Sequence, residues 1–369
     1  MVNNISSVSY KINIQVLDFI LNNYRKYNLL IDDDFEHPLT KKQKLTTSEK
    51  KELESFFFLS KKTLEQNILG LAVLFRNISN FYIPIRLDFR GRLNCMTEYL
   101  NYQGSELAKA LLLFSKGEKV YKTDITAINF LKIFGANCFG NKLDKASFLD
   151  RIKWVEDNIE NIKNFDNGIL ISKAENKSLF ISFCFEFNNY LNSLEYDLSY
   201  FITHLPIQLD ASCNGFQHLT FLIGELALSE ELNLNKSKWS DKPKDFYSFI
   251  ALKVKDFFIK ELCNNKDLST EELESYKKLA NLNIYRPIYK KVIMTWRYNV
   301  SSYSMVNYFK EEFYIEKDKY ILKIDNNIIF KEIDFQILRK ALLSVLLNDF
   351  PRLKSFINYL KDIAKYLIN

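Results

Sequence analysis

Leu209-Asp210-Ala211-Ser212-Cys213-Asn214-Gly215-Phe216-Gln217-His218 is the stretch on which the reading of this chain turns. The apolar run before it, Leu205–Leu209, predicts a short strand that delivers Asp210 at its end, and Leu219–Leu228 predicts an apolar helix after it. A carboxylate at a strand end, then small residues, then a helix is how phosphoryl-transfer enzymes present a magnesium ligand. Small side chains at that turn leave space for a nucleotide. The plainer alternative is a strand-to-helix turn with Asp210 as the N-cap. His218 alone reads as a core or capping histidine. The ten residues together are more particular than either bland role requires.

Two other segments share this chemistry. Leu87-Asp88-Phe89-Arg90-Gly91-Arg92 is a sharp turn with an acid, two guanidiniums and a glycine. Arginine makes bidentate phosphate contacts, and glycine lets a polyanion or another backbone come close. The competing reading is an exposed turn with a local ion pair. Tyr285–Asn299 predicts a helix on which Arg286, Lys290, Met294 and Tyr298 stack at intervals of four. Cations at the start of that stripe suit a triphosphate, and a tyrosine further along suits a base and sugar. A solvated basic face explains the cations but not the tyrosine that continues their line.

The rest of the chain bounds these readings. Its 369 residues, 43.7 kDa, with 47% hydrophobic and 26% charged residues, suffice for two or three domains with packed cores. That composition excludes a disordered regulator, a collagen-like rod and a disulfide miniprotein. Nine glycines and six prolines favour long helices over a β-sandwich. The net charge of +6 is compatible with a polyanionic partner, and of the ten arginines, Arg86, Arg90, Arg92, Arg286 and Arg297 lie in two short segments. The five cysteines show no CxxC spacing and no histidine at ligand spacing, which argues against structural zinc. No apolar run of membrane-spanning length and no signal-peptide pattern is present, so the chain reads as soluble and without a membrane partner. The abundance of Asn, Lys, Ile, Phe and Tyr matches translation of an AT-rich genome.

Periodicity predicts helices over Lys11–Tyr27, Thr63–Ile78, Ser105–Phe114, most of Lys122–Asn192, Asp245–Leu262, Glu271–Leu279, within Tyr285–Tyr308, and from Phe335 onward except at Pro351. Asp32–Lys51 reads as a charged loop, Phe81–Leu87 as a β-prone run, and Tyr320–Phe330 as a hairpin about an Asp-Asn-Asn turn.

In this order the segments resemble the single-subunit DNA-directed RNA polymerases of the phage and mitochondrial type, including those encoded by mitochondrial plasmids. The resemblance covers almost the whole chain. It rests on DFRGR followed by NYQGSELAKALLLF, on LPIQLDASCNGFQH from Leu205, and on RPIYKKVIMTWRY from Arg286. It implies an α+β, mainly α, right-hand polymerase architecture. Residues 1–78 would be a thumb-like helical region, 79–238 a partial palm, and 239–369 fingers.

The same resemblance implies that Asp210 binds the catalytic Mg²⁺ pair with the carbonyl of Ala211. Lys290 and Arg286 would hold the incoming triphosphate, and Tyr298 would select a ribonucleotide. Asp88, Arg90 and Arg92 would lie near the template and nascent RNA. DNA template, RNA and ribonucleoside triphosphates are the implied partners, and the mitochondrion the implied location.

Two departures stand out. Asn299 replaces the family's glycine after the tyrosine. No aspartate after Tyr298 follows a histidine, since the three histidines are His37, His204 and His218, so the family's second catalytic aspartate has no counterpart. The expectation is an incomplete chain, lacking the C-terminal palm and the N-terminal promoter-binding domain and unable to extend RNA alone. An exposed sheet edge, an apolar patch and dependence on a second polypeptide would follow. The alternatives are a plasmid DNA polymerase and a non-catalytic nucleic-acid-binding polymerase remnant.

Overall fold

A computed structural model describes residues 1–30, 47–89, 91–209, 211–235, 237–264, 268–282, 286–296, 300–316 and 319–368. It is mixed and 60% helical, as expected for an α+β chain rich in helix. The chain divides into two compact units, Met1–Leu209 with Trp239–Lys242, and Asp210–Lys238 with Pro243–Asn369. Among the described residues no helix is long and apolar enough to cross a membrane.

The first unit opens with α1 (Val2–Ser6) and β1 (Ser9–Ile12), then α2 (Ile14–Tyr27) and α3 (Thr47–Leu74). β1 is the centre of an antiparallel sheet, between β2 (Phe81–Tyr82) and β5 (Leu112–Phe114). Its register sets Tyr10 opposite Phe81 and Phe114, and Ile12 opposite Leu112. Asn13 then starts α2: its Oδ1 accepts the Val16 N–H and its Nδ2 donates to Ser182 Oγ. Val16, Leu17 and Ile20 form the fully buried stripe that their spacing predicts.

Between the outer strands lie β3 (Ile85–Leu87), β4 (Leu93–Cys95) and α4 (Glu106–Ala110). β6 (Glu118–Tyr121) pairs with β7 (Tyr200–Thr203). The helices α5 (Ile125–Phe139), α6 (Phe148–Asp157), α7 (Ile159–Lys163) and α8 (Lys177–Glu195) fill the interval. Phe180, Phe183 and Phe187 on α8 are fully buried. A Cβ on Gly135 of α5 would stand 2.3 Å from the Phe183 ring, so glycine is what lets these two helices close up.

The second unit begins with α9 (Asn214–Ile223) and α10 (Leu226–Ser229) and continues through α11 (Phe246–Asn264), α12 (Thr270–Asn281), α13 (Arg286–Trp296) and α14 (Ser302–Lys310). An antiparallel sheet follows, with β9 (Lys319–Leu322) between β8 (Phe313–Glu316) and β10 (Asp325–Phe330). The last helices are α15 (Glu332–Asn348) and α16 (Pro351–Ile368). Proline suits the first helical position, where its missing N–H has no intrahelical partner. Phe309, Phe330, Phe335 and Phe350 anchor this unit's core.

Several expectations are corrected. Leu205–Leu209 forms no strand; Pro206 has no N–H to give a ladder, and the pairing lies upstream in Tyr200–Thr203. The helix expected over Ser105–Phe114 stops at Ala110, because Leu112–Phe114 pairs with β1. α3 begins at Thr47, inside the expected charged loop, whose residues 32–46 lie outside the described ones. The expected single helix to Tyr308 is two, since Ser301 caps a new start at Ser302. The C-terminal hairpin turns at Lys323-Ile324, before the Asp-Asn-Asn expected to form the turn.

Candidate functional site

In the first unit the motif DFRGR lies at a hairpin tip. Ile85, Arg86 and Leu87 pair with Cys95, Asn94 and Leu93, which brings Asp88 and Arg92 to the two ends of the turn. The Asp88 N–H donates to the Arg92 carbonyl at 2.9 Å, and Gly91 N–H to the Asp88 carbonyl at 3.0 Å. The Asp88 carboxylate accepts the Arg92 N–H at 2.9 Å and Asn94 Nδ2 at 3.3 Å. Gly91 has φ +74, and a Cβ added there would meet nothing within 4 Å, so backbone conformation rather than space calls for glycine. Phe89 and Arg92 are exposed; Arg90 lies outside the described residues.

The NYQGSELAK string that follows braces this hairpin. Gln103 donates Nε2 to the Leu93 carbonyl at 2.8 Å and accepts the Cys95 N–H at 2.7 Å, so its amide stands in for a neighbouring strand. Ser105 caps α4, and Glu106 reaches the start of α8, accepting the N–H groups of Ser178 and Leu179. Those groups are the orphan donors of a helix N-terminus, where an anion is favoured. Burial raises the Glu106 pKa, while these bonds and Lys177 pull it back. Beside it is a cleft of about 260 Å³ lined in part by Glu106, Lys109, Asn137, Cys138, Asn176 and Gln208. Sequence alone assigns no roles to Gln103, Glu106 or Lys109, because their partners are set by tertiary contacts.

In the second unit Asp210 lies outside the described residues, and Ala211 is exposed with its carbonyl accepting the Cys213 N–H at 3.1 Å. The N-cap of α9 is Cys213, which makes no side-chain capping hydrogen bond. Cys213 has φ +65, the left-handed region that a side chain rarely occupies. Strain of this kind concentrates at functional turns. His218 is exposed, whereas Phe216 is fully buried. The Phe216 ring stacks on Trp296 at 6.0 Å and meets Phe246 at 4.9 Å, so α9 shares one core with α13 and α11. The helix that ends the second motif and the helix of the third therefore belong to the same unit.

On α13, Ile288, Tyr289, Val292 and Ile293 are buried, which turns Lys290 to the exposed side. Lys290 has no ion-pair partner among the described residues, whereas Lys291 is paired with Glu311 at 2.5 Å. Arg286 is held: its Nε lies 2.6 Å from Asp245 Oδ2 and its Cζ is 5.0 Å from the Tyr247 ring centre. That Nε is buried without the angle of a hydrogen bond, so the contact is an ion pair set by distance. Arg297 and Tyr298 lie outside the described residues. Among the described residues no cluster of three or more His, Cys, Asp or Glu is placed to hold a metal.

Residues 122–369 match the family model described as DNA-dependent RNA polymerase. A probable DNA-directed RNA polymerase of Podospora anserina is 52% identical over 372 residues, covering 99% of this chain and 39% of that protein. One from Neurospora crassa is 31% identical, covering 98% of this chain and 40% of its own length. The mitochondrial DNA-directed RNA polymerase 1 of Nicotiana sylvestris is 29% identical over 81% of this chain and 29% of its own length. The chain thus spans about two fifths or less of these relatives.

Proposed function

Because this chain belongs to the DNA-dependent RNA polymerase family, we propose that its residues carry the nucleotide-handling machinery of a DNA-directed RNA polymerase. The reaction is template-dependent transfer of ribonucleotides to an RNA 3′ end, in transcription of mitochondrial or plasmid DNA. Relatives named as mitochondrial polymerases support that location. In right-hand terms, residues 1–78 are thumb-like, 79–238 a partial palm and 239–369 fingers. The division of labour is between a hairpin that meets polyanion and a helix that meets nucleotide.

The observation that carries this reading is Lys290, an exposed cation with no ion-pair partner among the described residues, on a helix whose other face is buried. An ammonium left unpaired in that position is available to a triphosphate, with Arg286 one turn away on the same helix. Tyr298, which continues the four-residue spacing in the sequence, is the residue that senses the sugar. Asp88 shapes the turn that carries Arg92, and Arg92 with Arg90 of the same motif meets template and nascent RNA. Asp210 and the Ala211 carbonyl are hard oxygen donors of the kind magnesium takes. Mg²⁺, when bound, stabilises charge on the attacking and leaving oxygens. Asp210 is one of the two carboxylates that such a site uses; no aspartate after Tyr298 follows a histidine, so these residues by themselves are not expected to extend RNA.

The test uses the purified chain with a primed DNA template, Mg²⁺ and labelled ribonucleoside triphosphates. The expected result is ribonucleotide binding that Lys290→Ala weakens by roughly tenfold, with no extension of the primer. Extension by the chain alone would overturn the one-carboxylate reading. Indifference of nucleotide binding to Lys290→Ala would leave only the nucleic-acid-binding remnant. In any complemented, active assembly, Asp210→Asn abolishes synthesis and spares duplex binding.

A further inference from the structure

The geometry points to Asp245 as a positioning residue for Arg286, one that aims its guanidinium before any nucleotide arrives. This inference rests on the nucleotide reading given above. Asp245 stands just before α11 and fastens its first turn: Oδ1 accepts the Tyr247 N–H at 3.1 Å, and Oδ2 accepts the Ser248 hydroxyl at 2.9 Å. The same Oδ2 lies 2.6 Å from Arg286 Nε. Tyr247, presented by that turn, places its ring centre 5.0 Å from Arg286 Cζ. The guanidinium is therefore bounded by a charge on its Nε side and by an aromatic ring on one face. No other partner of Arg286 is found among the described residues, and the terminal nitrogens keep the fork that suits a phosphate.

Two physical arguments make this more than a surface ion pair. Arg286 is the first residue of α13, where the helix dipole disfavours a cation, and a carboxylate placed there offsets that cost. An arginine side chain also loses much rotamer freedom when it binds, and fixing it beforehand removes that loss from the binding step. The other cations of the helix mark the contrast. Lys291 is tied to Glu311, far along the sequence, and Lys290 has no ion-pair partner among the described residues. Only at Arg286 does the anchoring carboxylate also build the turn that supplies the stacking ring.

Asparagine and serine cap helices about as well as aspartate, so Asp245→Asn and Asp245→Ser keep the start of α11 while removing the charge. The experiment titrates the 369-residue chain calorimetrically with inorganic tripolyphosphate and with a ribonucleoside triphosphate, and follows urea unfolding of each variant. Asp245→Asn is expected to weaken both ligands by roughly fivefold. The loss should persist in a Lys290→Ala background and vanish in an Arg286→Ala background, the signature of action through Arg286. Should Asp245→Asn fold poorly, Asp245→Ser gives the same comparison. Unchanged affinity, an equal loss in the Arg286→Ala background, or tighter binding caused by relief of competition with phosphate overturns the positioning role alone. Failure of the parent chain to bind either ligand overturns the nucleotide reading itself, and the inference falls with it.

Discussion

Four carboxylates, two in each unit, illustrate two ways of being satisfied. In the first, Asp88 accepts the main-chain N–H of Arg92, and Glu106 accepts those of Ser178 and Leu179. In the second, Asp245 lies against Arg286 and the fully buried Asp334 against Lys278 at 2.6 Å. A carboxylate bonded to backbone fixes the shape of a loop or the start of a helix. A carboxylate bonded to a side-chain cation fixes where that cation points. The hairpin of the first unit is thus a shaped surface, and α13 of the second is a set of aimed and unaimed charges. That difference fits the roles proposed above, a hairpin that meets a polymer of any sequence and a helix that meets one small ligand in one pose.

The contrast is broken most severely at Asp334. It has no solvent exposure, and it also accepts the Lys331 N–H at 2.7 Å. Lys278→Met leaves a buried charge without its cation, and a loss of about 2–3 kcal/mol is expected by urea unfolding. A loss under about 0.5 kcal/mol would mean that the backbone bond suffices there too, and the division between the units would not hold. Asp88→Ala is the matching test in the first unit. It removes bonds to Arg92 N–H and Asn94 and is expected to cost about 1–2 kcal/mol, confined to the hairpin. Faster hydrogen exchange at the Arg92 and Gly91 amides, with the α8 amides unchanged, is the measurement.

Legibility in the sequence follows the range of the forces involved. The α2 stripe of Val16, Leu17 and Ile20, the Ser105 cap and the helix break at Pro351 are set within a few residues of themselves, and all three are readable. β1 and β5 merge with neighbouring helices in the sequence pattern because each is a strand only through the other. Leu205–Leu209 has the composition of a strand, yet the hydrogen-bonding partner belongs to Tyr200–Thr203. At the candidate site the spacing of Arg286 and Lys290 is visible, and so is the glycine of the Asp88–Arg92 turn. Asp245 is not, because it meets Arg286 only through the packing of α11 on α13. Neither is the left-handed Cys213, since nothing in a non-glycine residue announces that conformation. Asp210, Tyr298 and Arg90 lie outside the described residues, and their roles remain those implied by the motifs.

The smallest expected effect sharpens the comparison from the other side, by removing a charge instead of its partner. Glu186 in the first unit is buried, and one of its carboxylate oxygens makes no hydrogen bond. Burial raises its pKa, against the pull of hydrogen bonds from Thr203 and Asn189 and of the charges of His204 and Lys11. A carboxyl whose folded pKa exceeds its unfolded value stabilises the fold fully below the unfolded value, about 4.3. That contribution is lost as pH rises through the folded value, when the buried group must ionise. Glu186→Gln keeps the shape and hydrogen-bonding capacity without the charge. It should match the parent near pH 4.5 and exceed it by up to about 1 kcal/mol near pH 7.5, with the gain growing as pH rises. If the variant is instead less stable at neutral pH, and the loss shrinks on acidification, the attraction of Lys11 and His204 outweighs burial. The first unit would then hold this carboxylate as the second holds Asp334, by side-chain cations.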